Sequence, residues 1–483
     1  MKQKPRNTNL KNRIFANSKP KPPMALEQLL KRIENQKVII LGFGKEGIST
    51  YRFIRRHFPK MKLVIADGNE NLNMDDFAED KHLKIIKGKE YDRNLNNYDL
   101  IFKSPGISFN MLDYYIENEK ITSQTNLFLE YFHEQVIGVT GTKGKSTTAS
   151  LIYHILSHSR GNVFLAGNIG TPFFDIVEQL DTESLVVAEL SAHQLEFVHH
   201  SPDYAVLLNI YQEHLDHFNS FNNYQNAKTN IFKFQHAGNF LVYNGDDEHI
   251  PGWVKGNKPE SDICIFGTQI HPGLHVRCHN HLIRFMNDGE IVDEYDLIDY
   301  KNLPGTHNYF NIMAAIAISR RLGVKHADIM NALLTFKGLP HRIEYVGEFN
   351  GIEFYNDSIS TIPESAIAAV KALRGVETLI LGGFDRGIDY QVLIDFLKEN
   401  PIQNIAFTGP AGHRMLEMCR EQNALPKNYI ETDDYQEIVR FAYNKTPQNG
   451  VVLLSPAAAS YNQFKNFEER GNHFKQLVVK MSN

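Results

Sequence analysis

Between Thr140 and Thr148 the chain reads TGTKGKSTT, a glycine-rich run followed at once by residues that favour a helix start. Backbone N–H groups left unpaired at such a start, together with the helix dipole, attract an anion. Gly141 and Gly144 let the backbone approach phosphate oxygens, with Thr142 and Lys143 between them. Lys145 supplies a positive charge for terminal phosphates, and the hydroxyl of Ser146 or Thr147 can ligate Mg²⁺. The spacing is GxxGKST rather than GxxxxGK[ST], which points away from GTPases and motor proteins.

Two downstream segments supply what a nucleotide site still lacks. In VVAELSAHQLE, Glu189 closes an apolar run that reads as a buried strand, the position from which α/β sheets present ligands to a crevice. A carboxylate there suits Mg²⁺. In LLNIYQEHLDHF a second strand end delivers Glu213, His214, Asp216 and His217 within five residues, a cluster suited to a cation. Each alone reads as a solvated loop; in order behind a phosphate loop they favour function.

These residues need a framework, and the sequence has the rhythm of one. KVIILGFGKEGISTYRFIRRHF from Lys37 reads as strand, glycine turn and helix, and KLVIADG ends a second strand at Asp67. Gly42, Gly44 and Gly47, with Asp67 twenty residues beyond, also satisfy a dinucleotide fingerprint, so a nicotinamide reading is formally available on a motif that is weak alone. A second strand–loop–helix begins near Val136, and a third α/β rhythm follows IEFYNDS, TLILGGF, NIAFTG and GVVLLSP. Between them, residues 244–299 form a β-rich excursion before the helix-forming NYFNIMAAIAISRRLG. The fold expected is α/β with three domains: a Rossmann-like unit over 24–130, a central phosphate-loop unit with a parallel sheet over 131–339, and a second Rossmann-like unit over 340–483.

Length and composition agree. A chain of 483 residues divides into roughly three domains. Charged residues make up 22% and the net charge is −5, so the basic excess of a nucleic-acid binder is missing. Cys264, Cys278 and Cys419 are too far apart for a disulfide framework or a CxxC metal pair, which fits a reducing cytoplasm. No run approaches the roughly 18 apolar residues of a membrane span, so no membrane insertion is expected. Residues 1–23 are rich in Lys, Arg, Pro and Asn without one acidic side chain, and read as a flexible basic tail.

TGTKGKST, AELSAHQLE, NIYQEHLDHF with NYQNAK, GTHNYFNIMAA, LPHRIE, NDS and SPAAASYNQFKNFEERG together resemble the Mur ligases, and among them the type that adds glutamate. The resemblance covers nearly the whole chain beyond the tail. It implies a monomeric, ATP- and Mg²⁺-dependent ligase that activates the carboxylate of UDP-N-acetylmuramoyl-L-alanine as an acyl phosphate and joins it to glutamate. It assigns phosphate binding to Lys145 and the Mg²⁺ sites to Ser146, Glu189, His214 and Lys228, the lysine as a carbamate. It places Asn308, Arg342 and Asp357 on ATP. For the UDP-sugar it implies Gly42, Gly44, Asp67, the Ser104-Pro105-Gly106 turn, Asn168 and Ser191, with His193 beside the metal. For glutamate it implies Thr361, Arg386, Ser460 and Phe467.

Near the amino-acid pocket the chain departs from the common pattern: DSISTI replaces DSKATN, so Ile359 and Ile362 stand where lysine and asparagine are usual, and Arg386 where lysine is usual. The DSIST-P-E pattern resembles a subgroup that adds L-glutamate, so D- and L-glutamate both stay open. Rival readings are another ligase of the superfamily, such as a folylpolyglutamate synthase, and a non-catalytic nucleotide-binding scaffold.

Overall fold

The computed structural model describes residues 24–109, 115–298, 300 and 302–482; the basic tail inferred for residues 1–23 lies outside them. The described chain builds three sheets. In the first, β1 (Val38–Leu41), β2 (Leu63–Asp67), β3 (Leu83–Lys87), β4 (Leu100–Lys103) and β5 (Ile121–Thr122) run parallel in the order β3-β2-β1-β4-β5. All four residues of β1 are buried, as a central parallel strand covered by helices on both faces must be.

The second sheet has nine strands: β6 (Val136–Thr140), β7 (Val163–Gly167), β8 (Leu185–Glu189), β9 (Tyr204–Leu207), β10 (Phe240–Asn244), β11 (Asp262–Gly267), β12 (Leu274–His279), β13 (Leu282–Asn287) and β14 (Glu290–Asp296). Their order is β14-β13-β12-β11-β10-β9-β6-β8-β7, parallel from β7 to β12. The β-rich excursion is the antiparallel extension of this sheet, β12–β14. Asp288 and Gly289, both at positive φ (50° and 85°), turn β13 into β14, the backbone form that matches the twist of a two-residue hairpin.

The third sheet orders β15 (Glu344–Phe349), β16 (Ile352–Asn356), β17 (Val376–Gly382), β18 (Asn404–Thr408), β19 (Asn428–Glu431) and β20 (Val451–Leu454) as β15-β16-β20-β17-β18-β19, with only β15 antiparallel. Successive residues alternate faces. Leu379, Leu381, Phe407 and Leu453 enter one core, and Ile380, Ala406, Val452 and Leu454 enter the other.

The first two sheets share one core in addition to the cores each keeps on its other face. Ile40 and Phe102 from the first belong to the same apolar cluster as Val186 and Ala188 from the second. The helix Gln124–Phe132, with seven of nine residues buried, lies between them. Its Phe128 stacks on Phe173 at 4.5 Å between centroids, and Phe174 meets Phe53 at 4.5 Å. Gln124 Nε2 donates to the Glu46 carbonyl at 2.9 Å. The division expected at 130/131 falls inside this helix, so the apolar seam runs across it. At the other junction the backbone turns sharply, with His341 and Ile343 at φ of 63° and 43°, and Ile343 N–H donates to Asp357 Oδ1 at 3.2 Å.

Candidate active site

β6 ends at Thr140, and the helix Lys145–Ser159 begins after Gly144, whose φ is 86°. A Cβ on Gly144 would lie 2.4 Å from Asn311 Oδ1, so only glycine lets the loop pass this amide. Asn311 accepts from Thr148 Oγ1 at 3.0 Å and donates to Asn308 Oδ1 at 2.8 Å. Asn308 in turn donates to the Pro304 carbonyl at 2.7 Å, which fixes the phosphate loop to the helix His307–Arg321. Thr142 Oγ1 shares a 2.9 Å hydrogen bond with the Tyr224 hydroxyl and accepts from Tyr211 N–H at 2.9 Å.

Parallel pairing sets Glu189 on β8 opposite Val139 on β6 and Gly167 on β7, so the carboxylate emerges beside the phosphate loop at the carboxyl edge of the sheet. Glu189 is 1% exposed. Its Oε1 accepts from Asn168 Nδ2 at 2.8 Å, while its Oε2 is buried without a hydrogen-bond partner. A buried carboxylate oxygen left unpaired is costly, and a cation at that oxygen would satisfy it. This donor set therefore fits Mg²⁺.

Two lysines converge on the same edge. Lys145 Nζ donates to the Thr142 carbonyl at 3.0 Å; burial lowers its pKa, with Glu189 and Glu213 opposing the shift. Lys228, from the helix Phe221–Thr229, is 1% exposed and donates to the Gly141 carbonyl at 2.8 Å. Burial first and Lys145 second hold its pKa well below the ordinary lysine value. Such an amine is readily neutral, and neutral amines are nucleophilic.

The acidic and histidine cluster after β9 does not gather on one cation as its spacing suggests. Glu213 Oε1 pairs with Lys143 Nζ at 2.6 Å, Asp216 is exposed, and His217 Nε2 lies 3.0 Å from Glu196 Oε2. Among the described residues no three His, Cys, Asp or Glu side chains are placed to hold a metal by themselves. The reason is backbone geometry: His214 adopts a left-handed conformation (φ 57°) ahead of the short helix Leu215–Phe218, which turns successive side chains different ways. His214 remains beside the site, its ring 4.8 Å from that of His193. The His193 pKa is pushed down to about 4, first by burial and then by His217, His214, Lys103 and Lys228.

In the first sheet Asp67 has a structural assignment. Its carboxylate accepts from Phe43 N–H at 2.7 Å and Asn69 N–H at 2.8 Å, which ties the glycine turn to the end of β2. Ser104 Oγ donates to the Gly42 carbonyl at 2.7 Å, so the Ser104-Pro105-Gly106 turn packs on the Gly42–Gly44 turn. Lys45 Nζ reaches the Gly170 carbonyl at 2.8 Å, bringing the AGNIG loop and Asn168 to this side. Ser191 begins the helix Ala192–Leu195 in a capping box with Gln194.

In the third sheet Arg386 Nη2 donates to the Thr361 carbonyl at 2.9 Å, which joins two of the positions assigned to glutamate. Ser460 is 3% exposed, and the Phe467 carbonyl accepts from Ser358 Oγ at 2.9 Å. Arg470, which the sequence does not single out, links these parts: it donates to Ser358 Oγ at 2.9 Å and to the Ala458 and Ala459 carbonyls at 3.0 and 3.1 Å. Its place in NFEERG was the available signal, but burial of an arginine is invisible in sequence.

Arg342, exposed, lies near enough to Lys145 to lower its pKa further. Asp357 accepts from Ser455 Oγ at 2.7 Å, and burial pushes its pKa up to about 6. A carboxyl raised in the fold stabilises below its unfolded value near 3.8 and loses that contribution as pH rises through about 6. Asp357→Asn should therefore raise the unfolding temperature of the ligand-free protein at pH 8 and leave it unchanged at pH 3.5, by at most about 3 kcal/mol of stability. Scanning calorimetry at the two pH values checks the sign.

Residues 36–116 match the Mur ligase MurD-like N-terminal domain, 139–319 the Mur ligase middle domain and 341–458 the Mur ligase glutamate ligase domain. A UDP-N-acetylmuramoylalanine--D-glutamate ligase of Ruminiclostridium cellulolyticum is 34% identical over 463 residues, covering 94% of this chain and 98% of its own. The enzyme of that name from Listeria monocytogenes is 32% identical, over 93% and 98%. Among solved structures, MurF of Thermotoga maritima in complex with ADP shares the fold at a TM-score of 0.53 and 20% identity, over 87% of this chain and 96% of that one. MurC of the same organism does so at 0.52 and 17%, over 92% and 99%. With the phosphate loop, the unpaired Glu189 oxygen, the buried Lys228 and the half-buried Lys145 at one sheet edge, and with these full-length relatives, the chain belongs to the Mur ligase family of ATP-dependent amide-bond ligases.

Proposed function

We infer that the protein joins D-glutamate to UDP-N-acetylmuramoyl-L-alanine at the expense of ATP, a step of cytoplasmic peptidoglycan precursor synthesis. The observation that carries the reading is Glu189 Oε2, buried and unpaired beside the phosphate loop at a sheet edge shared with Lys145 and Lys228. D-Glutamate is favoured by the names of the relatives at 30–34% identity. In this division of labour residues 24–130 hold the UDP-sugar, 131–339 hold ATP and 340–483 deliver glutamate.

A carboxylate resists amide formation because hydroxide leaves poorly; transfer of the γ-phosphoryl group gives an acyl phosphate whose phosphate leaves readily. Lys145 and the N–H groups of Gly144 to Thr147 hold the phosphates and spread the charge that shifts during transfer. Ser146, Glu189, His214 and Lys228 would hold Mg²⁺, which when bound screens the phosphate oxygens from the incoming carboxylate. Lys228, whose pKa burial lowers, adds CO₂ through its unprotonated amine and loses a proton to become an anionic carbamate. That removes the repulsion between its ammonium and a metal. Asn168, bonded to Glu189, and Ser191 orient the muramoyl-alanine carboxylate. Asn308, Arg342 and Asp357 bind ATP. Arg386, Thr361, Ser460 and Phe467 bind the glutamate carboxylates and backbone, the arginine by its planar fork.

Phosphate release from ATP should require the UDP-sugar and D-glutamate together. L-Glutamate, which the Ile359, Ile362 and Arg386 departures bring into consideration, is run in parallel. Turnover with folate substrates alone, or release with neither glutamate, would overturn the reading.

A further inference from the structure

Lys103 is the last residue of β4, directly before the Ser104-Pro105-Gly106 turn, and its side chain is 3% exposed. It is no surface lysine. Its ammonium sits 3.1 Å from Glu196 Oε2, with the ring of Phe197 5.2 Å away. The same Glu196 oxygen lies 3.0 Å from His217 Nε2. The His217 ring is 4.4 Å from that of His193, which is 4.8 Å from His214. A second thread runs alongside, as Gln194 Nε2 donates to Glu46 Oε1 at 2.7 Å.

A lysine taken this far from water is expensive, and Glu196, 22% exposed, with Glu46 nearby does not repay it better than an apolar side chain would. The geometry instead serves placement. Lys103 belongs to the first sheet, Glu196 follows the helix that starts at Ser191, and His217 lies on the short helix directly after His214. His214 precedes that helix, its carbonyl accepting from His217 N–H at 3.1 Å, so the two histidines share one turn.

We propose that Lys103, acting through Glu196 and His217, is a positioning residue that locks the His214 turn against the sugar-binding side and so sets the metal site. The chain is in series: Lys103 holds the Glu196 carboxylate, Glu196 holds the His217 ring, and the ring holds the turn. The inference deepens the proposed function, resting on His214 as a metal-side residue, and it is separable from that function by a measurement without turnover.

The full-length protein with ADP is titrated with Mn²⁺ in place of Mg²⁺, free Mn²⁺ being read by its electron paramagnetic resonance signal. Lys103→Met is expected to weaken Mn²⁺ binding about tenfold, the usual scale for a group that orients a metal ligand, with metal-free ADP binding within about twofold of wild type. His217→Asn, which leaves the Lys103–Glu196 pair in place, should show the same loss. Combining the two should cost no more than either alone, because groups in series are not additive. Wild-type Mn²⁺ affinity in either single variant, or a double variant showing the product of the two losses, overturns the proposal. Should Lys103→Met fail to bind ADP, His217→Asn decides alone. Absence of glutamate ligation by the wild-type chain would sink the proposed function and leave this titration readable.

Discussion

Glu189→Gln is expected to abolish ligation, with turnover falling by about 10³-fold or more, while the fold survives. The substitution keeps the size of the side chain and an oxygen for Asn168 Nδ2 to bond, now accepted 2.8 Å away, and the site lies at a strand end fixed by pairing on both sides. What it removes is the charge on an oxygen that is buried and bonded to nothing in the protein. A carboxylate in that state gains most from a cation, and an amide there cannot offset the charge of one. Loss of a single preorganised electrostatic contact in a water-poor site costs about 10²–10³ in turnover, and loss of a metal with it costs more. The variant should still bind ADP through the phosphate loop. Ligation within tenfold of wild type would mean that the unpaired oxygen is not a metal ligand.

The second large effect concerns Lys228. Lys228→Ala should lower turnover by about 10³-fold, and added formate or acetate should restore a measurable part by placing a free carboxylate where the carbamate stood. The side chain's position is the reason. It is 1% exposed, next to Lys145, and its pKa lies well below that of an ordinary lysine because of burial and that neighbour. Burial disfavours either charge, but Lys145, which repels the ammonium, attracts an anion in its place. Steady-state assays with and without the carboxylates, and mass spectrometry of the ¹³CO₂-trapped wild-type protein, check it. Full activity in the alanine variant would show that Lys228 is only a hydrogen-bond donor to the Gly141 carbonyl.

The phosphate loop and the strand that ends in Glu189 were legible in sequence because their signals are local: a glycine run at a strand-to-helix junction, and apolar residues ending on an acid. The later cluster was half legible. Its histidines and acids are spaced as one group, yet a left-handed His214 and a four-residue helix send Glu213 to Lys143 and His217 to Glu196. Nothing in residue types records that turn. Lys103, Glu196 and Arg470 were unreadable for another reason. Each looks like an ordinary charged surface residue until elements distant in sequence close over it; Lys103 meets a carboxylate 93 positions away. The excursion between β10 and the helix His307–Arg321 had strand-like alternation but no sign of which edge it would join; pairing of β12 to β11 supplies that.

The apolar seam between the first two sheets bears on the timing of the reaction. Phe53, Phe128, Phe173 and Phe174 join the side proposed to hold the sugar and the side proposed to hold the phosphates in one core, whereas the third sheet keeps cores of its own. On the proposed division of labour, acceptor carboxylate and phosphoryl donor would meet across one shared core, their alignment set by the packing of the first two sheets. The nucleophilic amine would come from the third sheet, with its separate cores, so activation and capture would draw on different parts of the chain. A reactive anhydride would then be made where its geometry is already set, and its lifetime would depend on how soon the amine is presented.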